Sequence, residues 1–250
     1  MRVPELDLTS VTTLLCDADG TLFDSEGPAF DASVLVANRY LERLGSPDRY
    51  TADELRRTAT GLSFRATLTG LARDRGVDVE SAGFAAEADG WVAQENEAVT
   101  SHLAQALRPD DAVRSPLRRL AVRFGLAVVT SSALTRIDAS LTSSGLAGHF
   151  PDTERFSAQD SLPVPTSKPD PAVYLLALSR LGLEPDRGLA LEDAVPGATS
   201  AVRAGLVTVG VLCFVPLEER DARAADLERA GVSALVDSWS ELEQLLDPTP

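Results

Sequence analysis

After residue 110, short apolar runs alternate with helical patterns, and this alternation restricts the fold more than any other feature of the chain. The periodicity predicts strands at 125–130, 188–191, 206–213 and 234–236, and helices at 133–144, 171–181, 197–204 and 216–230. Strands that are apolar throughout need cover on both faces, and strands that alternate with helices are typical of parallel sheets. We therefore predict an α/β fold with a doubly wound parallel sheet.

Residues 27–105 have a different pattern. Helical periodicity covers 30–44, 53–59, 64–75 and 82–107, and no segment has the alternation or length of a convincing strand. Each end of this segment has a residue pair that favours a turn or a break in a helix, Gly27-Pro28 at the start and Arg108-Pro109 just after the end. We predict an all-helical domain, residues 27–105, inserted into a core made of residues 1–26 and 106–250.

Two carboxylates follow the first apolar run, Val11 to Cys16, at Asp17 and Asp19, and Gly20 and Thr21 come next. Carboxylates held together at the end of a buried strand repel each other. A divalent cation relieves this repulsion, and Mg²⁺ prefers such oxygen ligands. For this segment alone, a solvated Asp-Gly turn stays open as the simpler alternative.

The basic residues of the chain are almost all arginine. Of 23 lysines and arginines, Lys168 is the only lysine. An ammonium group is a compact point charge, whereas a guanidinium group is a planar fork. We interpret Lys168 as a residue whose task requires the compact cation, and a compositional accident remains the alternative.

Polar clusters follow several of the predicted strands or precede the next helix. They are Asp17 with Asp19, Thr130 with Ser131 and Ser132, Lys168, and Glu192 with Asp193. Ligands of doubly wound sheets bind beyond the carboxyl ends of the strands, and free N–H groups at a helix start suit an anion. Each cluster by itself fits an ordinary turn or cap, but together they predict one site at one edge of the sheet.

These segments resemble the four motifs of the haloacid dehalogenase-like hydrolase superfamily, in the branch whose helical cap is inserted after the first motif. The similar segments are 17–21, 130–131, 168–171, and 191–197 with 204–205. The resemblance covers essentially the whole chain. It implies a Rossmann-like core, a helical cap and phosphoryl chemistry.

The resemblance also implies a role for each matching residue. Asp17 corresponds to the nucleophile that forms an aspartyl-phosphate, and Asp19 to the general acid and base. The implied Mg²⁺ ligands are Asp17, the main-chain carbonyl of Asp19, Asp193 and Glu192. The implied phosphate-binding residues are Gly20, Thr130, Ser131 and Lys168.

Within the superfamily, Asp19 argues against a dehalogenase, which needs no acid at this position. The absence of lysine from 27–105 argues against phosphonate cleavage through a cap lysine. Mutases similar to β-phosphoglucomutase have an arginine after a segment like 61–63, where this chain has Phe64 and then Arg65. One helical position is a rotation of about 100°, so we favour a phosphatase over a mutase. A catalytically silent binding protein is the remaining alternative, although the chain retains every motif residue.

A small sugar or polyol phosphate is the predicted substrate. Glu26 and Arg65 are candidate substrate contacts, with a helix cap and a surface charge as their simpler interpretations. A cap that closes over a small polar substrate also excludes water.

The composition of the chain limits the classes of binding partner and the cellular location that we expect for the protein. The formal net charge of −15 argues against nucleic acid and anionic membranes as partners. The sequence has no apolar signal core and no run of transmembrane length. Cys16 and Cys213 lie in apolar runs, as expected of reduced thiols. We predict a cytoplasmic protein that is a monomer or a weak homo-oligomer.

Overall fold

The computed structural model describes residues 8–59 and 62–246. They form two compact units. One contains the residues up to Asp24 and those from Arg108 onward, and the other contains Ser25–Leu107.

The first unit contains a six-stranded sheet of order β3-β2-β1-β4-β5-β6, in which every neighbouring pair is parallel. Its strands are β1 (Thr13–Cys16), β2 (Gly125–Thr130), β3 (Arg155–Ser157), β4 (Gly188–Glu192), β5 (Val207–Val211) and β6 (Ala234–Val236). This is the strand order of a Rossmann-like doubly wound fold, whose direction of winding reverses beside the first strand. The predicted α/β fold class is confirmed.

The second unit contains α1 (Glu26–Arg43), α2 (Ala52–Ala59), α3 (Phe64–Arg73) and α4 (Ala82–Ala106). Its described residues include no strand. Tyr40 and Trp91 meet edge to face at 5.5 Å in an apolar core of the unit. The side chains of Ser63 and Ser81 cap α3 and α4 by accepting N–H bonds from the first helical turn.

Helices also follow and cover the strands of the first unit. They are α5 (Asp111–Leu120), α6 (Leu134–Ser143), α7 (Ala172–Leu181), α8 (Val195–Arg203), α9 (Arg220–Ala230) and α10 (Trp239–Leu246). Helix α7 begins one residue later than predicted, and the Ala172 N–H donates to Asp170 Oδ1 at 2.9 Å. The apolar pattern did not predict β3, α5 or α10. Of the helices in the described ranges, none is both long enough and apolar enough to cross a membrane.

Strand β1 lies at the centre of the sheet, paired with β2 on one side and β4 on the other. Cys16 is in register with Val128 of β2 and Leu191 of β4. Because all three strands run in the same direction, their carboxyl ends meet at one edge. The residues that follow them are therefore neighbours in space, although more than a hundred positions separate β1 from β2.

Leu15→Ala tests this central packing. Leu15 is fully buried in the main apolar core, and truncation of such a leucine costs about 2–5 kcal/mol of unfolding free energy. The matched control is Leu217→Ala, because Leu217 is 78% exposed, and we expect its effect to stay within about 0.5 kcal/mol. Urea unfolding followed by circular dichroism measures both, and equal effects would contradict the placement of β1.

Candidate active site

Asp17 extends β1 by one residue, since its N–H donates to the Leu191 carbonyl at 2.9 Å. This places its side chain beside Glu192, which is the last residue of β4, and beside Asp193, which follows that strand. All three are buried, and one carboxylate oxygen from each lies within 4.8 Å of those of the others. The structure thus brings together three of the predicted metal ligands.

A tight turn after Asp17 makes room for Asp193. Gly20 has a φ of +81°, a conformation that L side chains rarely adopt. A Cβ at this position would lie 2.3 Å from Asp193 Oδ2, and Thr21 Oγ1 donates to Asp193 Oδ1 at 3.3 Å. The space beside Gly20 is therefore occupied by Asp193, a predicted metal ligand, whereas the sequence analysis assigned Gly20 to phosphate binding.

The carboxylate of Glu192 is confined in a similar way. A Cβ at Gly197 of α8 would lie 1.7 Å from Glu192 Oε2. On the other oxygen, the Tyr174 hydroxyl from α7 donates to Glu192 Oε1. Glu192 is 1% exposed, so glycine on one side and tyrosine on the other hold its side chain away from water.

Lys168 lies among these carboxylates. Its Nζ donates to Asp17 Oδ1 and Glu192 Oε1, both at 2.6 Å, and to the Val129 carbonyl at 2.7 Å. Three acceptors match the three N–H donors of an ammonium group. The Lys168 main-chain N–H also donates to Ser131 Oγ at 3.1 Å, which links this segment to the end of β2.

Burial and crowding raise the pKa values of the carboxyl groups. Burial, reinforced by Asp17, raises the pKa of Glu192 to about 8 even though Lys168 opposes the shift. Burial and Asp17 also raise the pKa of Asp193 to about 8, against the opposing effect of Arg223. Burial lowers the pKa of Lys168, but the carboxylates of Asp17 and Glu192 outweigh it and raise this pKa above its usual value.

When all three carboxyl groups are ionised, the cluster has three negative charges against one ammonium group. A divalent cation would balance the remaining two charges, and hard carboxylate oxygens are the ligands that such a cation prefers. The chemistry of the donor set thus fits the predicted metal. Asp17, Glu192 and Asp193 would supply side-chain oxygens for it, and the predicted fourth ligand is the main-chain carbonyl of Asp19.

The side chain of Asp19 lies against the segment that follows β2. Ser132 Oγ donates to Asp19 Oδ2 at 2.7 Å, and Arg136 Nη2 of α6 lies 3.6 Å from Asp19 Oδ1. Thr130 is buried, and its Oγ1 accepts the Ser132 N–H at 3.0 Å. The sequence pattern included Ser132 in the polar run with Thr130 and Ser131 but gave it no role, and the structure shows that its hydroxyl contacts Asp19.

The predicted substrate contacts Glu26 and Arg65 belong to the all-helical unit. Glu26 is the first residue of α1 and contributes an acidic side chain to its first turn, while Ser25 occupies the N-cap position. Arg65 forms an ion pair with Asp89 of α4. Phe64 and Arg65 are the first two residues of α3, and Gly61 lies outside the described residues.

Sequence reasoning missed three further residues: Tyr174 and Arg223 contact the cluster, and Arg136 lies beside Asp19. Arg223 of α9 donates from Nη1 to the main-chain carbonyl of Asp193 at 2.9 Å. Its charged helix, in which most residues are half-buried, has no pattern that distinguishes this arginine from its neighbours. By contrast, the sequence did indicate Ser132, because it belongs to the same polar run after β2 as Thr130 and Ser131.

Comparisons with known proteins identify the family to which this chain is similar. The family model described as a hydrolase, haloacid dehalogenase-like hydrolase, matches residues 11–205. The phosphorylated carbohydrates phosphatase of Thermotoga maritima is 32% identical over 225 residues, which cover 89% of this chain and 93% of that protein. The Bacillus subtilis protein YhcW is 34% identical over 127 residues, and this match spans 48% of the chain and only 54% of YhcW.

The fold also has a solved counterpart. A variant of CbbY from Rhodobacter sphaeroides, in complex with xylulose-(1,5)bisphosphate, is similar with a TM-score of 0.68 and 25% identity. The match covers 93% of this chain and 96% of that one. Because the matched family segment contains Asp17, Lys168 and Asp193, on a sheet of the same class, the chain belongs to the haloacid dehalogenase-like hydrolases.

Proposed function

We propose that this chain is a Mg²⁺-dependent phosphomonoester hydrolase that acts on a small sugar or polyol phosphate. The observation that carries the proposal is the buried cluster in which Asp17 shares Lys168 with Glu192, next to Asp193. The T. maritima relative is named a phosphatase of phosphorylated carbohydrates, and the CbbY variant was crystallised with a sugar bisphosphate. Both names support the same substrate class.

The first half of the reaction transfers the phosphoryl group to Asp17. A carboxylate oxygen of Asp17 attacks phosphorus, the new O–P bond forms, and the bond from phosphorus to the substrate oxygen breaks. Asp19 donates a proton to that leaving oxygen, which departs as an alcohol. The product of this half is an aspartyl-phosphate on Asp17.

The second half releases phosphate. Asp19, now a carboxylate, accepts a proton from water, and the water oxygen attacks phosphorus of the aspartyl-phosphate. The bond between phosphorus and the Asp17 oxygen breaks, inorganic phosphate leaves, and the Asp17 carboxylate is restored. Asp19 is protonated again and ready for the next substrate.

Neighbouring groups neutralise charge and orient the phosphoryl group. Lys168 balances negative charge on Asp17 and on the phosphoryl oxygens, which is the main requirement of phosphoryl transfer. Thr130 and the Ser131 N–H are proposed to hold phosphoryl oxygens at the end of β2. Mg²⁺, held by Asp17, Glu192, Asp193 and the Asp19 carbonyl, supplies Lewis-acid stabilisation of the phosphoryl group when it is bound.

We propose further that the sheet-containing unit is the catalytic core and the all-helical unit the cap, with predicted bounds of 27–105 for the cap. Glu26, which follows the first motif, and Arg65 of the cap remain the proposed residues for substrate selection. A cytoplasmic location, and a monomer or weak homo-oligomer, stay predictions.

Phosphate release from a panel of sugar and polyol monophosphates, with Mg²⁺ and with EDTA, tests the function. The panel includes β-glucose 1-phosphate, with glucose 6-phosphate measured in parallel. Metal-dependent phosphate release, strongest on one compound, is the expected result. Isomerised sugar phosphate without free phosphate would identify a mutase instead, and no turnover of any compound by folded protein would favour a binding protein.

Asp17→Asn is expected to abolish turnover, because an amide oxygen is a far weaker nucleophile than a carboxylate. The matched control is Asp221→Asn, which makes the same change at an exposed residue of α9. Phosphate release by both variants, alongside circular dichroism spectra, measures the effect. Turnover by Asp17→Asn at the wild-type rate would remove Asp17 as the nucleophile.

Lys168→Arg is expected to lower kcat/KM by about a hundredfold or more, in the range seen when one group that stabilises a transition state is lost. The positive charge remains, but the planar guanidinium does not fit among three acceptors that lie 2.6–2.7 Å from Nζ, at a side chain only 5% exposed. Steady-state kinetics measure the change, and thermal unfolding controls for misfolding. Near-normal kinetics would show that the lone lysine is a compositional accident.

Mg²⁺ is expected to raise the Tm of the wild-type protein, since a ligand that binds only the folded state stabilises it by about 2.7 kcal/mol at a hundred times its Kd. Asp193→Asn removes one charged ligand and is expected to abolish most of this shift. Asp221→Asn is expected to keep it. A wild-type Tm that does not respond to millimolar Mg²⁺ would contradict the metal site.

A further inference from the structure

Arg136 is a largely buried arginine beside the proposed general acid. Its side chain, on the first turn of α6, is 15% exposed, and Nη2 lies 3.6 Å from Asp19 Oδ1. The other oxygen of the same carboxylate, Oδ2, accepts a hydrogen bond from Ser132 Oγ at 2.7 Å. Two residues that follow β2 therefore approach Asp19, one at each carboxylate oxygen.

The guanidinium of Arg136 is only partly satisfied. Its Nε is buried and has no hydrogen-bond partner among the described residues, a condition shared there only with Ser140 Oγ. A buried N–H without an acceptor destabilises the folded protein. Nothing in this arrangement favours Arg136 as a residue selected for stability.

Arg155, whose partner Asp138 also lies on α6, shows what a structural arginine looks like in this protein. Arg155 is 10% exposed, and its Nε and Nη2 both donate to the Phe150 carbonyl, at 2.9 and 2.6 Å. Its Nη1 donates to Asp138 Oδ1 at 2.7 Å. Every nitrogen of Arg155 has an acceptor, in contrast to Arg136.

Arg119 shows the arrangement that Arg136 lacks. Its Nε and Nη2, which share one edge of the guanidinium, bind the two oxygens of Glu243 at 2.5 and 2.7 Å. The same two atoms of Arg136 are the unpartnered Nε and the Nη2 that lies 3.6 Å from Asp19. Catalytic contacts that are long in a free enzyme commonly shorten in the substrate complex.

Resting on the proposed phosphatase function, we infer that Arg136 is a positioning residue for Asp19. Through its Nε–Nη2 edge, and together with Ser132, it orients the Asp19 carboxyl group for proton transfer to the leaving oxygen. It acts through Asp19, so its effect depends on how much protonation the leaving group needs. An alkoxide leaving group needs the proton, whereas a weakly basic aryloxide leaves almost without it.

The test compares two substrates: the best sugar phosphate of the panel, and p-nitrophenyl phosphate, whose leaving group is weakly basic. Arg136→Met is expected to lower kcat/KM, which reports the steps up to departure of the leaving group, about 10- to 100-fold on the sugar phosphate, part of the full effect of general acid catalysis. On p-nitrophenyl phosphate, we expect a loss of less than about threefold. Ser132→Ala is expected to show the same pattern to a smaller degree.

Controls separate this role from a structural one. Arg119→Met removes another ion-paired arginine of the same unit and is expected to change neither activity. Arg136→Lys keeps the positive charge but not the planar guanidinium group, and we expect it to restore only part of the activity on the sugar phosphate. It also serves as the test variant if Arg136→Met does not fold. In an Asp19→Asn background, Arg136→Met is expected to add less than about a twofold loss, because two residues that act as one unit are not additive.

Equal losses on both substrates, no loss on either, or additive losses with Asp19→Asn would each overturn the inference while leaving the phosphatase function intact. A wild-type protein that releases phosphate from neither substrate would instead overturn the proposed function, and the inference with it.

Discussion

Three buried carboxyl groups surround a single ammonium group at the carboxyl end of β1, and the arrangement of the site follows from this imbalance of charge. Lys168 touches Asp17 and Glu192 but leaves Asp193 to be balanced by other groups. Unpaired buried charges are costly, so the fold tolerates the cluster only with a further positive charge nearby. Arg223 contributes on one side, and the donor set fits a divalent cation on the other.

The backbone around the cluster is shaped to keep these groups close. Gly20 and Gly197 each stand where a Cβ would lie within 2.3 Å of a carboxylate oxygen. The turn after β1 is also fixed from the opposite end of the chain, where Trp239 Nε1 donates to the Thr21 carbonyl at 3.0 Å. Packing of α10 and the position of the acidic turn are thus linked, although the two are 218 positions apart.

Much of the fold and part of the site followed from local patterns. The predicted strands at 125–130 and 188–191 coincide closely with β2 and β4, because fully buried strands leave continuous apolar runs. Strand β3 left no such signal, since it has three residues and starts with Arg155. Helix α5 was missed as well, and Pro116 within it is a residue that ordinarily argues against a helix interior.

The sequence by itself determined the residues of the candidate site: the acidic pair after the first strand, the lone lysine, and the Glu-Asp pair after β4. It determined this because strand ends and residue types are local properties, visible in a few consecutive letters. Only the tertiary structure decided that Lys168 bonds to Asp17, 151 positions away, that Tyr174 holds Glu192, and that Ser132 and Arg136 meet Asp19. Those pairings depend on strand order and on side-chain packing, which bring distant residues within hydrogen-bond distance and leave no periodic trace in the chain.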